Sequence, residues 1–207
     1  PAGVDLVRVY RSELGGTVLY HCADVPAGMQ SYLIGGDQLG RQATTRSLAA
    51  MPPGDFVTVW RGRLLVARGN VLVISEPMNY GLTSPRTGFV QFSDRITLVL
   101  GVKGGIYVGT RHGVVFLSGS KPGEWTQDEK SSLAPVAGCG LIVDGESLSP
   151  QYQQSGRKVA VWLSASGFIL GCDDGQILTP QADRLSIDTT ESGAMVAHSR
   201  RLTATLH

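Results

Sequence analysis

Apolar residues in this chain come in short bursts rather than at helical spacing. One set of three comprises Phe56-Val-Thr-Val-Trp60, Arg63-Leu-Leu-Val-Ala67 and Val71-Leu-Val-Ile-Ser75. A second comprises Ile96-Thr-Leu-Val-Leu100, Ile106-Tyr-Val-Gly109 and Val114-Val-Phe-Leu117. A third comprises Val159-Ala-Val-Trp-Leu163, Phe168-Ile-Leu-Gly171 and Ile177-Leu-Thr179. Runs of four or five β-branched and aromatic residues bounded by glycine are too short for helices and predict strands. Arg68-Gly69-Asn70, Arg111-His112-Gly113 and Asp173-Asp174-Gly175 separate the second and third runs of each set. Gly, Asn and Asp tolerate the positive φ of a tight hairpin, so each set predicts an antiparallel three-strand meander.

The chain is thus predicted to be all-β, with propeller-like repeated meanders of three or four strands at about 56–75, 96–117 and 159–179. Ala194-Met-Val-Ala197 and Leu202-Thr-Ala-Thr-Leu206 open a fourth unit at about 194–206. The first offset is roughly 42 residues, a propeller-blade period, and the second roughly 62. The excess predicts an insertion at about 121–155, rich in Pro, Gly, Ser and Gln; Thr126–Leu133 inside it is the one modest helix candidate. An irregular β-sandwich with similar hairpins is the rival architecture. Residues 1–46 read differently from the repeats of 47–207. Val7–Arg11, Thr17–Tyr20 and Ser31–Ile34 alternate with period two and predict strands, and 42–55 predicts a linker.

Composition supports the strand-and-turn reading, with 27 glycines among 207 residues and only 17% charged residues. A net charge of +1 gives no general attraction to nucleic acid or an anionic membrane. The basic groups, Arg61, Arg63 and Arg68 and then Arg200 and Arg201, lack interleaved aromatics and read as solvated strand faces. Cys22, Cys139 and Cys172 fit no zinc or redox spacing and read as free thiols. No apolar run reaches membrane-spanning length. The start at Pro1-Ala2-Gly3 suggests a piece of something longer.

No catalytic, cofactor or metal constellation stands out. His21, His112, His198 and His207 follow no ligand spacing. Gly101-Val-Lys-Gly-Gly105 lacks the helix start of a phosphate loop. Asp173 and Asp174 lack the further oxygen ligands of a calcium loop and read as turn residues. Asp24, Asp37 and Asp94 read the same way. Trp60 and Trp162, placed alike in the first and third sets, are expected in the core. Trp125, in polar Glu124-Trp-Thr126, is the candidate partner contact.

Two resemblances follow from these residues. Val7-Arg-Val-Tyr-Arg-Ser12, Gly15-Gly-Thr17, Val25-Pro-Ala-Gly28 and Leu39-Gly40 resemble the second half of a fibronectin type III domain. Trp60–Ala67, Gly69-Asn70, Ser75-Glu-Pro77, Tyr80-Gly-Leu82, Phe89–Phe92, Arg95-Ile-Thr97, Gly105–Thr110 and Val115–Pro122 resemble propeller-bearing structural proteins of tailed-bacteriophage necks and tails. The second resemblance implies a non-enzymatic virion component in a symmetric assembly with other tail proteins, with no cofactor, specific nucleic acid or membrane insertion. A carbohydrate- or receptor-binding propeller at the virion tip is the alternative. Incomplete repeats leave open sheet edges, so the chain is expected to associate through strands near Leu6–Tyr10 and Ala194–Leu206.

Overall fold

The computed structural model describes residues 3–35, 39–148, 150–152, 156–181, 184–187, 192–198 and 201–207. Asp37 and Arg200, singled out above, lie outside the described residues, as do 149 and 153–155 of the expected insertion. The chain divides into two compact units, Pro1–Leu48 and Ala49–His207. Both are built from antiparallel strands, and helix is confined to short 3-10 turns among the described residues.

The first unit is a hairpin of β1 (Leu6–Ser12) and β2 (Leu19–Pro26), with a bulge between Val9 and Tyr10. Residues 40–43 run back along the other edge of β2. There the Gly40 and Ala43 amides donate to the His21 and Leu19 carbonyls, and the His21 amide donates to Arg41. Since that edge is taken, the strand expected at Ser31–Ile34 does not form, and Leu33 is 91% exposed. Val25 is the only apolar side chain fully buried here among the described residues. Polar contacts fasten the hairpin instead: Asp24 accepts from Arg8 Nε and pairs with His21 Nε2, each at 3.0 Å.

The second unit is a succession of small sheets. The first has β3 (Ala49–Ala50), β4 (Phe56–Trp60), β5 (Arg63–Arg68), β6 (Val71–Glu76) and β7 (Asn79–Thr83) in the order 3-7-6-5-4, with β8 (Phe89–Gln91) also on β6. The second is a meander of β9 (Ile96–Gly101), β10 (Gly105–Thr110), β11 (Gly113–Ser118) and β12 (Thr126–Ser131). The third is a meander of β13 (Pro135–Asp144), β14 (Lys158–Ser164), β15 (Gly167–Gly171) and β16 (Ile177–Leu178). The last is a hairpin of β17 (Gly193–His198) and β18 (Arg201–Leu206).

The first two meanders fall where the apolar runs predict them, and the third begins one strand earlier. Val159–Leu163 lies on β14, the second strand of its sheet; the first strand is β13, inside the expected insertion. The rest of that stretch supplies β12, so Thr126–Leu133 is not a helix, and what remains of the expected 121–155 insertion is chiefly the β13–β14 loop. First strands begin at 56, 96, 135 and 193, so the early steps are about 40 residues and the last about 58. The extra length sits in the β13–β14 loop and ahead of β17. The correction has a local signature. At the β10–β11 turn, buried Thr110 Oγ1 donates to the Gly113 carbonyl and accepts from the His112 amide, both at 3.3 Å. At the β14–β15 turn, buried Ser164 Oγ donates to the Gly167 carbonyl at 3.4 Å and accepts from the Ser166 amide at 3.3 Å. Thr110 and Ser164 are equivalent, and Asp173–Gly175 joins third to fourth strands.

Alternation along each strand sends one face of a sheet toward its predecessor and the other toward its successor. Trp60, Leu65, Ala67, Leu72 and Ile74 of the first sheet share a core with Ile96, Val99, Ile106, Val108 and Leu117 of the second. The opposite face of the second sheet, with Leu98, Leu100, Tyr107, Val114 and Phe116, meets Ala160, Trp162 and Ile169 of the third. Beyond that, Val143, Val159, Val161 and Leu170 meet Met195 and Leu202 of the hairpin. Both expected core tryptophans are buried between sheets, at 4% and 0% exposure. They are not repeat equivalents, since Trp60 ends a first strand and Trp162 sits within a second strand.

Candidate functional site

The turn between β9 and β10 is held from both sides. From the first sheet, Trp60 Nε1 donates to the Val102 carbonyl at 2.7 Å, and Arg61 Nη2 donates to the Lys103 carbonyl at 3.1 Å. Arg61 sits at φ 44 and Gly62 at φ 71, the two positive values of a type I′ hairpin. That geometry sets the Arg61 guanidinium 4.6 Å from the Trp60 ring centroid. From the third sheet, Asp173 Oδ1 accepts from the Lys103 amide at 2.9 Å. A Cβ on Gly104 would stand 1.8 Å from the Asp173 carbonyl oxygen, so only glycine allows this approach. Tyr107 Oη, below, donates to the Cys172 carbonyl at 2.6 Å, with Gln176 O at 3.0 Å. Burial, reinforced by Cys172, Asp174 and Asp173, drives its phenol well above the ordinary range.

Asp173 and Asp174 therefore act as turn residues, since Asp174 Oδ1 accepts from the Gln176 amide at 3.0 Å and Gly175 takes φ 84. No group of three His, Cys, Asp or Glu among the described residues could hold a metal ion. Cys139 and Cys172 are buried and Cys22 is part-buried, none of them in a disulfide; burial pushes the Cys139 thiol up. His112 Nδ1 lies 3.1 Å from Asp94 Oδ2 on the surface. No helix among the described residues is long and apolar enough to cross a membrane.

Trp125, expected as a partner contact, is part-exposed. Its indole is part-buried against the core between the first two sheets and meets Trp60 edge to face, with centroids 5.6 Å apart. Of its polar neighbours, Glu124 closes a 3-10 turn and Thr126 starts β12, which pairs with β11.

Two surfaces remain. The beginnings of the four first strands converge on a cavity of about 550 Å³ lined by Phe56, Thr97, Pro135 and Ser192, with Arg95 and Arg111 at its rim. Arg95 is paired with Asp55 at 3.2 Å. The other surface is the outer face of the first sheet, which no periodicity argument marked. Strand register carries Val57, Val66, Val73 and Phe89 across four strands in one row, with Val59 and Leu64 beside them. Val57, Val59 and Phe89 are 64%, 57% and 46% exposed, whereas Val66 in the same row is buried. The corresponding faces of the second and third sheets are buried under their predecessors. The signal was present in the sequence: β4 and β6 are apolar at successive positions, the pattern of strands covered on both faces.

No protein-family model matches the chain, and no curated protein matches it.

Proposed function

We propose that residues 49–207 are consecutive blades of a β-propeller, and that the chain is a non-enzymatic structural component of a phage tail or neck working through protein–protein contacts. One observation carries the reading: the outer face of the first sheet is built like an interior face, yet Val57, Val59 and Phe89 on it are exposed. Stacked-sheet repeats bury such faces against neighbours, and a monomer gains nothing by leaving valines in water there. The order of strands supports a propeller. First strands of successive sheets adjoin and run the same way, as the parallel bridge Ala137–Ser192 and the Trp60–Val102 contact indicate. The fibronectin-like reading of the first unit rests on its hairpin and remains part of this proposal. The glycan-binding alternative drew on Trp125 and nearby loop residues as contacts, and that indole is part-buried against Trp60.

Mass spectrometry of density-purified particles from a culture carrying the gene tests the assignment. The chain is expected at a fixed ratio to the tail proteins, with immunogold labelling on the tail or neck. Its absence from washed particles, or turnover of a glycan substrate by the purified chain, would overturn the reading.

A further inference from the structure

The cavity at the beginnings of the first strands carries polar groups that packing does not call for. Its wall is largely apolar, from Phe56, Ile96, Pro135 and Val136. Its volume of about 550 Å³ falls within the roughly 300–1,000 Å³ of small-molecule sites. Gly109 makes room for that wall, since a Cβ there would stand 2.3 Å from Pro135 Cγ and 2.8 Å from Leu98 Cβ.

Two features belong to this cavity. Register pairs Ile96 with Thr110, so Arg95 and Arg111, one residue further out on each side, are neighbours of like charge. Like charges opposite one another cost stability. Asp55 offsets Arg95 at 3.2 Å, and Asp94, next in sequence, pairs with His112 at 3.1 Å. Arg111 has neither an ion pair nor a hydrogen bond among the described residues. The second feature is Thr97. Register slips between Gly109, paired with Leu98, and Thr110, paired with Ile96, which leaves Thr97 as the extra residue of a β-bulge. Thr97 contributes to the cavity lining, and its Oγ1 is buried without a hydrogen-bond partner among the described residues. Buried hydroxyls are ordinarily partnered.

We propose that this cavity binds a small organic carboxylate with an apolar body. The body lies against Phe56, Ile96 and Pro135, the carboxylate takes the Arg111 guanidinium as its counter-charge, and Thr97 Oγ1 donates the hydrogen bond that finds no acceptor within the chain. A guanidinium presents parallel N–H donors that match the two oxygens of a carboxylate, and such charge-assisted bonds are the stronger kind. An inorganic anion would leave the apolar wall bare, and a neutral apolar molecule would leave Arg111 without a counter-charge. The site is independent of the assembly reading, since it requires neither further sheets nor a particle.

Isothermal titration of the whole chain with octanoate and with naphthylacetate tests this, beside naphthylacetamide and acetate. At least one of the two apolar carboxylates is expected to bind saturably, once per chain, about ten-fold or more tighter than acetate or the amide. Arg111→Gln is expected to weaken that binding about ten-fold and Thr97→Val about three-fold. Circular dichroism checks that both variants keep the fold. Unfolding in urea is expected to show no loss of stability in Thr97→Val, because the added methyl replaces an unpaired hydroxyl. Arg157→Gln removes an equal charge from the β13–β14 loop and is expected to leave the affinity unchanged, which separates the site from general attraction to cations. Binding of neither apolar carboxylate, equal binding of naphthylacetamide or acetate, or wild-type affinity in Arg111→Gln or Thr97→Val overturns the proposal.

Discussion

Tyr107 shows how one polar atom can bind two sheets. Its ring is fully buried among Phe116 and Trp162, with centroids at 4.7 and 5.3 Å, while its hydroxyl crosses to the third sheet. Tyr107→Phe removes one donor from the Cys172 carbonyl, which still accepts from the Gly175 amide at 3.2 Å, and unfolding in urea is expected to show a loss of about 0.5–1.5 kcal/mol. Because the folded phenol's pKa is raised above its unfolded value, this stabilisation is intact below about pH 10 and is lost as pH rises further. Alkaline unfolding is therefore expected to be less steep in Tyr107→Phe than in the wild type. The adjoining turn separates side chain from backbone requirements. Asp174→Asn keeps an acceptor for the Gln176 amide and is expected to be nearly neutral. Gly175 sits at φ 84, and a Cβ there would lie 2.7 Å from the Phe116 ring. Gly175→Val is expected to cost on the order of 1–3 kcal/mol in the same measurement, and equal effects from the two changes would contradict the turn assignment.

At the scale of elements, apolar runs revealed strands that are covered on both faces and concealed those that are not. β12 reads Thr-Gln-Asp-Glu-Lys-Ser because it is an outer strand joined only to β11 and largely exposed. β13 is broken by Gly138 and Gly140, the former at φ 81 and the latter where a Cβ would strike Leu98 at 2.0 Å. Missing both shifted the third repeat by one strand and created an apparent insertion. The Thr110 and Ser164 turns held the correct register, but a glycine-based turn signal favours Asp174-Gly175 over Ala165-Ser166-Gly167. The polar stretch that follows Trp125 is a strand edge for the same reason. The open face of the first sheet could be read from Phe56–Trp60, yet its lack of a cover could not, because coverage depends on which sheets the chain supplies. The first-unit hairpin is different again, held by Asp24 rather than by a core. Hydrogen bonds from His21, then Arg8, hold the Asp24 carboxyl below its ordinary value. Its stabilisation is present above the unfolded carboxylate pKa and is lost as pH falls through the lower folded value. Amide exchange on β1 and β2 is expected to accelerate in acid before exchange on β10 does, and Asp24→Asn should remove that difference in pH response.

For residues 49–207 as a whole, stability should depend on a sheet's place in the series. Each sheet meets only its neighbours, so nearest-neighbour terms dominate, as in other repeat structures. The second sheet is covered on both faces, and every residue of β10 is buried. The first sheet has an open face, and the β17–β18 hairpin has two strands and an open face as well. In the single-chain state, amide exchange should therefore be slowest in β10, β11 and β14 and faster in β4 and β17–β18.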